Sequence, residues 1–271
     1  MESCLLRSGL QVFYHRRSGQ GSKISLVLLH GFTDNGRCWD RVAQDLAGGN
    51  DLIMPDARGH GRTAGDVSAL SYDLLGEDAV GLIQTLGLAQ PILFGHSMGA
   101  LTAMIAATRA PNLIRALILE DPPFWPAARQ KAINVDDLAQ QAVGGRAFQQ
   151  RPLAQRIADC RASNPGWAED EVIPWAESKG EYDPEIMSPE IRLTMHNYAW
   201  KAAAAKVRCP TLLLTAGPGN GIVTPETAVE AAALMANCEV VQIANAGHCI
   251  HRDAYAETMQ HVDSFLGKVG G

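Results

Sequence analysis

Little in this sequence speaks for an anionic macromolecule as partner. Lys and Arg number 23 against 29 Asp and Glu, a formal net charge of −6. No basic run is longer than Arg16-Arg17. Nucleic acids and anionic membrane surfaces both call for a basic face, so neither is expected as a partner. No window approaches the roughly 18 consecutive apolar residues that span a bilayer. The first residues, MESCLLRSGLQVFYHRRSG, lack a basic stretch followed by a long apolar one, so a secretory leader is not expected. The six cysteines (Cys4, Cys38, Cys160, Cys209, Cys238 and Cys249) form no CxxC pair and keep no regular spacing. That argues against a zinc site or a disulfide framework, and for reduced thiols in a cytoplasmic protein. Internal repeats and low-complexity tracts are also lacking.

What the chain does have is apolar material. Hydrophobic residues make up 46% of its 271 positions, enough for one large core or a core with a small satellite domain. Leu10 to His15 alternates loosely and reads as a strand. Ile24 to Leu29 (ISLVLL) is an unbroken apolar run, which suits a strand covered on both faces in a parallel sheet. Further strands are expected at Asp51–Met54, Ile92–Phe94 and Ile114–Leu119, with helices over Leu70–Leu86 and Ser97–Arg109. From Pro122 to about Lys206 no strand is apparent. Helical stretches there are broken by Pro123, Pro126, Gly144-Gly145, Pro152, Pro165, Pro174, Pro184 and Pro189. The alternation resumes with a strand at Thr211–Thr215, a helix near Pro225–Met235, a strand at Glu239–Ile243 and a helix at Asp253–Leu266. This is an α/β pattern, a mostly parallel doubly wound sheet with a helical insertion after its sixth strand. The insertion carries Trp125, Trp167, Trp175 and Trp200, which either form its own small core or line a pocket for an apolar group.

The most informative stretch is PILFGHSMGA. It sets Gly95-His96-Ser97-Met98-Gly99 directly after a buried strand and directly before a helix, the context in which a G-x-S-x-G pentapeptide carries meaning. A nucleophile there sits on a sharp turn, and small residues two before and two after keep the crossing backbones from clashing. The turn lifts the Ser97 hydroxyl above the C-terminal edge of the sheet. The plain alternative is a glycine-rich strand-to-helix turn with an incidental serine.

A serine hydroxyl needs a base to take its proton. His248, in NAGHCIH between the last strand and the last helix, opens at the same sheet edge. His251 lies nearer the helix, where a surface position is expected, and His60 belongs to a separate turn. His15, His30, His96, His196 and His261 lack the late, strand-end placement. An oxyanion requires donors. After the third strand, His30-Gly31 turns the chain and aims the Phe32 N–H across the sheet edge, where it joins the Met98 N–H at the start of a helix.

At this point the sequence resembles the α/β-hydrolase superfamily. The matching residues are His30-Gly31, Pro55-Asp56-Ala57-Arg58-Gly59-His60-Gly61, the Gly-His-Ser-Met-Gly elbow and Gly247-His248, whose order and spacing cover nearly the whole chain. The resemblance implies an eight-stranded sheet, a core of residues 1–121 and 207–271, and a helical cap of residues 122–206. It implies Ser97 and His248 as catalytic residues, and an architectural role for the Asp56–Gly61 turn. The departure concerns the acid. Members commonly carry Asp after strand seven, and the matching position here is Asn220, whose amide cannot steady an imidazolium by charge. A minority place the acid at the end of strand six, where this chain has Glu120-Asp121. Strand alternation points the two side chains opposite ways, and an ungapped count from the nucleophile puts Asp121 on the minority site, with Glu120 as the alternative.

The expected reaction is hydrolysis of a carboxylic ester, thioester or lactone of a small, apolar or aromatic substrate through an acyl-enzyme on Ser97, with no metal or organic cofactor. Serine at the elbow separates the chain from haloalkane dehalogenase and epoxide hydrolase relatives, which use Asp. The alternatives are C–C bond hydrolysis with the same triad, more remotely a cofactor-free oxygenation, and a ligand-binding member without turnover. The partner is a small molecule, and the protein is read as a monomer or homodimer.

Overall fold

In the computed structural model, which describes residues 1–19 and 24–270, eight strands form one sheet in the order β1-β2-β4-β3-β5-β6-β7-β8. The strands are β1 (Glu2–Leu5), β2 (Gln11–Ser18), β3 (Ile24–Leu29), β4 (Asn50–Pro55), β5 (Ile92–His96), β6 (Ala116–Glu120), β7 (Thr211–Thr215) and β8 (Cys238–Gln242). Only β1 and β2 run antiparallel to their neighbours; the others pair in parallel.

Alternation along each central strand feeds two apolar layers. Val27, Leu29, Ile53, Leu93, Leu117 and Leu119 face one layer. It is closed by α2 (Tyr72–Thr85), α3 (Met98–Arg109) and α10 (Pro225–Leu234), which contribute Leu75, Met104 and Ala231. Leu26, Leu28, Leu52, Phe94, Ala116 and Ile118 face the other. It is closed by α1 (Asp40–Leu46) and α12 (Tyr255–Val269) through Val42, Leu46, Val262 and Phe265. Because β3, β5, β6 and β7 are covered on both faces, their sequences are continuous apolar runs rather than alternating ones. Each fully buried Leu, Ile or Phe contributes on the order of 1.5–3 kcal/mol relative to exposure. Local chemistry sets the helix starts. Ser71 caps α2 by accepting the Leu74 N–H, and Thr224 caps α10 by accepting the Thr227 N–H, with Pro225 in the first turn.

Between β6 and β7 the described residues form helices and turns. The helices are α4 (Ala127–Lys131), α5 (Val135–Gln149), α6 (Leu153–Ser163), α7 (Glu169–Ser178), α8 (Pro189–His196) and α9 (Trp200–Ala204). Two expected breakers do not break. Gly144-Gly145 lies inside α5, and Pro174 lies inside α7, where it is buried beside Val172 and Ala176. Burial of that face outweighs the lost backbone hydrogen bond. The other prolines do punctuate: Pro152 precedes α6, Pro184 opens a 3-10 turn and Pro189 opens α8. A short α11 (Ile250–Asp253) lies between β8 and α12.

Candidate active site

The chain leaves β5, turns at Ser97 and enters α3. Ser97 adopts φ 50 and ψ −114, a sparsely populated conformation that persists only when its surroundings impose it. They do. The Ser97 N–H donates to the Glu120 carbonyl at 2.8 Å. A Cβ on Gly95 would collide with the backbone of Gly99 and Ala100, and one on Gly99 with the carbonyls of Leu29 and His30. The two glycines thus allow α3 to close onto β5 and β3. Met98 is the first residue of α3, so its N–H has no intrahelical acceptor.

His248, on the turn before α11, comes to this edge. Its Nε2 lies 3.0 Å from Ser97 Oγ and its Nδ1 2.6 Å from Asp121 Oδ2. Asp121 is fully buried and has φ 38. Its carboxylate also accepts the backbone N–H groups of Ile222 at 2.8 Å and Val223 at 3.0 Å. A Cβ on Gly221 would lie 2.7 and 2.9 Å from the two carboxylate oxygens, so the loop after β7 makes room for Asp121 and grips it by its backbone. Asn220 in that loop is exposed. Glu120, one residue earlier, faces the opposite layer and binds His251 Nδ1 at 2.8 Å.

The chain as a whole has known relatives. The model of the alpha/beta hydrolase family matches residues 26–260. The chain belongs to that family. It is 29% identical to N-formylmaleamate deformylase of Pseudomonas putida over 91% of this chain and 89% of that one. It is 25% identical to the mouse sn-1-specific diacylglycerol lipase ABHD11 over 95% and 85%. Among solved structures, N-formylmaleamic acid deformylase from Pseudomonas putida S16 superposes with a TM-score of 0.81 at 25% identity, covering 97% of this chain and 99% of that one.

In this α/β hydrolase, Ser97 opens into a cavity of about 200 Å³ lined on the sheet side by Phe32, Tyr72 and Met98. Pro123, Trp125, Ile133, Leu138, Arg192, Met195 and His196 line it from the segment between β6 and β7. Of the four tryptophans considered for the pocket, Trp125 lines it. The other three are held elsewhere by partners of their own. Trp200 is buried and stacks on Phe124 at 4.4 Å. Trp167 donates to Asp253 and carries the Arg252 guanidinium over its ring. Trp175 packs edge-on against Trp167 and Phe148.

Three further buried histidines pack around the triad and behind it. His96 is buried, and burial pushes its pKa down to about 3. Its Nε2 lies 3.0 Å from the His248 carbonyl, which only accepts, so Nε2 carries the proton and tethers the His248 turn. His30 is likewise kept neutral by burial; its Nε2 accepts the Ala57 N–H, and Nδ1 donates to the Gly31 carbonyl. His251 is buried, not at the surface, because it stacks on Trp39 at 4.7 Å while bound to Glu120.

A buried ion cluster, without a local sequence signature, lies behind the site. Asp34 binds Lys179 and Arg252, and Arg252 also reaches Glu171 at 3.3 Å. Burial alone would raise the Asp34 carboxyl, but the two cations outweigh it and hold it far below the carboxylate range. The cluster ties α7 to the turn after β3 and to α11. Among the described residues no group of three or more His, Cys, Asp or Glu side chains is placed to hold a metal ion. No helix there is long and apolar enough to cross a membrane.

Proposed function

We propose that this protein is a serine hydrolase that cleaves the acyl bond of a small substrate, a carboxylic ester, thioester or lactone, through an acyl-enzyme on Ser97. The observation that carries the reading is the hydrogen-bonded series Asp121–His248–Ser97, with spacings of 2.6 and 3.0 Å, opening on the cavity. Ser97 Oγ attacks the carbonyl carbon while His248 Nε2 takes its proton. Asp121 holds the Nδ1–H tautomer and stabilises the imidazolium. The Met98 and Phe32 N–H groups receive the developing oxyanion. His248 then protonates the leaving group, and a water activated by the same imidazole releases the acid and frees Ser97.

A second reading is amide cleavage. The same attack and proton transfer serve an N-acyl amide, and the likeness to a deformylase favours it. We infer that residues 122–206 act as a cap over a core of residues 1–121 and 207–271, since seven of the twelve described residues that line the cavity come from that segment.

Treatment with a fluorophosphonate followed by peptide mass spectrometry tests the nucleophile. The expected adduct is on Ser97, and it is absent from Ser97→Ala. An unlabelled wild-type protein that binds small esters without turning them over would instead make it a binding member of the fold. Rates on matched ester, thioester and amide series then rank the bond types.

A further inference from the structure

Among the described residues that line the Ser97 cavity, Arg192 carries the one permanent charge. It projects from α8, with its guanidinium carbon 5.1 Å from the centre of the Phe32 ring. Its terminal nitrogens reach the Gln141 amide oxygen at 3.1 Å and the Met187 sulfur at 3.8 Å. None of these neighbours is an anion. Elsewhere in the molecule Arg58 is paired with Asp78, and Arg252 with Asp34 and Glu171. Burial pulls Arg192 below its ordinary pKa, with only the Tyr72 phenol opposing. A guanidinium keeps its proton throughout. A cation partly withdrawn from water without a counter-charge is unfavourable unless something supplies that charge, and such groups concentrate at binding sites.

The placement says what the missing anion is attached to. Arg192 also lines an outer groove with Trp125, Gln141, His196, Arg129 and Asp137. It therefore stands where the groove meets the inner cavity, in contact with the ring of the residue whose N–H we assign to the oxyanion. Tyr72, whose phenol burial keeps protonated, lines the inner cavity beside it and offers a second donor. The fork of N–H groups on an arginine matches a carboxylate in two parallel bonds. We propose that Arg192 anchors a carboxylate carried by the substrate itself, so that the preferred substrate is an acyl compound with one free carboxylate seated at Arg192 and its scissile carbonyl at Ser97. This rests on the hydrolase reading above for the bond cleaved, but not for the anion bound.

The test is a matched panel. Monomethyl esters of the linear dicarboxylic acids of four to six carbons are set against methyl esters of the same length in which a methyl ketone replaces the free carboxylate. Rates are followed by titration of released acid for wild type, Arg192→Met and Arg192→Lys. Binding of the same compounds to Ser97→Ala and to Ser97→Ala/Arg192→Met is followed by calorimetry. In wild type the best half-ester is expected to exceed its ketone counterpart in kcat/KM. Arg192→Met should cut that preference by about 10- to 100-fold, the scale of a charge-assisted hydrogen bond, with KM carrying most of it. Arg192→Lys should restore part. Half-ester binding to Ser97→Ala should be lost in the double variant. Equal handling of both series by wild type, or a preference that survives in Arg192→Met, overturns the anchor. If wild type turns over neither series while Ser97→Ala binds half-esters in an Arg192-dependent way, the anchor stands and the hydrolase reading fails. If nothing binds and nothing turns over, the anchor fails too.

Discussion

The end of β6 supplies two histidine–carboxylate pairs one residue apart. Asp121 binds His248 at 2.6 Å on one side of the sheet, and Glu120 binds His251 at 2.8 Å on the other. As chemical pairs they are nearly the same. Their surroundings differ. The His248 side chain is 36% exposed and has a serine hydroxyl on its second nitrogen. His251 is 1% exposed, sealed against Trp39, and its Nε2 has no partner among the described residues. An imidazole–carboxylate pair is therefore not a catalytic device in itself. It becomes one where the second nitrogen meets a nucleophile and where substrate can enter; sealed in the core it is a structural tie.

The sharpest way to break that comparison is to neutralise each acid in turn. Asp121→Asn keeps the shape but favours the wrong imidazole tautomer. A loss of up to about 10⁴-fold in kcat is expected, the scale known for a triad aspartate so changed. Steady-state kinetics on any turned-over ester reads it. Near-normal kcat would remove Asp121 from the mechanism.

Glu120→Gln should do the reverse. Its side chain faces the layer containing Trp39 and Phe94, away from Ser97. Removing one partner of a buried pair is expected to destabilise the fold by about 3–5 kcal/mol, while the folded fraction keeps kcat within a few-fold. Urea unfolding reads the first and kinetics at low temperature the second. A stable but inactive Glu120→Gln would invert the two roles.

A milder change tests how Asp121 is held. Ala at position 221 puts a methyl group within 3 Å of both carboxylate oxygens. Displacement of the acid by a fraction of an ångström to one ångström can cost on the order of 10²-fold. Gly221→Ala is expected to lower kcat by up to that factor without the stability loss of Glu120→Gln. Unchanged kinetics would show that the loop gives way and does not set the acid.

How much of this could be read from residues alone follows from the same physics. The limits of β3 and β7 were legible because strands covered on both faces are unbroken apolar runs with sharp ends. The opposite facing of Glu120 and Asp121 followed from strand alternation. The edge strand β1 was not singled out, being short and mostly exposed. Neither was α1, a seven-residue helix whose stability comes from burying Val42, Ala43 and Leu46. Continuity through Gly144-Gly145 and Pro174 was invisible, since tertiary burial and not local propensity decides it. Arg192 and Tyr72 gave no signal, because only the fold brings α8 and α2 to the elbow.

A last test distinguishes the two sides of the sheet by acid, first with no residue replaced. On the site side His60, which touches the Phe32 ring, and its neighbour His30 are buried and neutral, the pKa of His60 pushed down to about 3 and that of His30 lowered as well, both by burial. In the unfolded chain they titrate near 6.5. Between about pH 6.5 and 3 the unfolded state therefore binds protons that the folded state does not, and stability falls as pH falls through that window. Each group contributes a slope approaching about 1.4 kcal/mol per pH unit well below 6.5. On the other side, burial would raise Glu120, but His251 outweighs it and holds the carboxyl at about 2. Its contribution is present above the ordinary value near 4.5 and is lost as pH drops through 2, so it begins only where the histidine term is already steep. Chemical unfolding of wild type from pH 7 to 4 is expected to show stability declining from about pH 6.5 and more steeply below about 4.5. His60→Gln should flatten the first part, and Glu120→Gln only the second, whatever their stability at pH 7. A wild-type curve level between pH 6.5 and 5 would mean that these histidines take up protons inside the fold, and that the site side is wetter than its sealed counterpart by more than the exposure of His248.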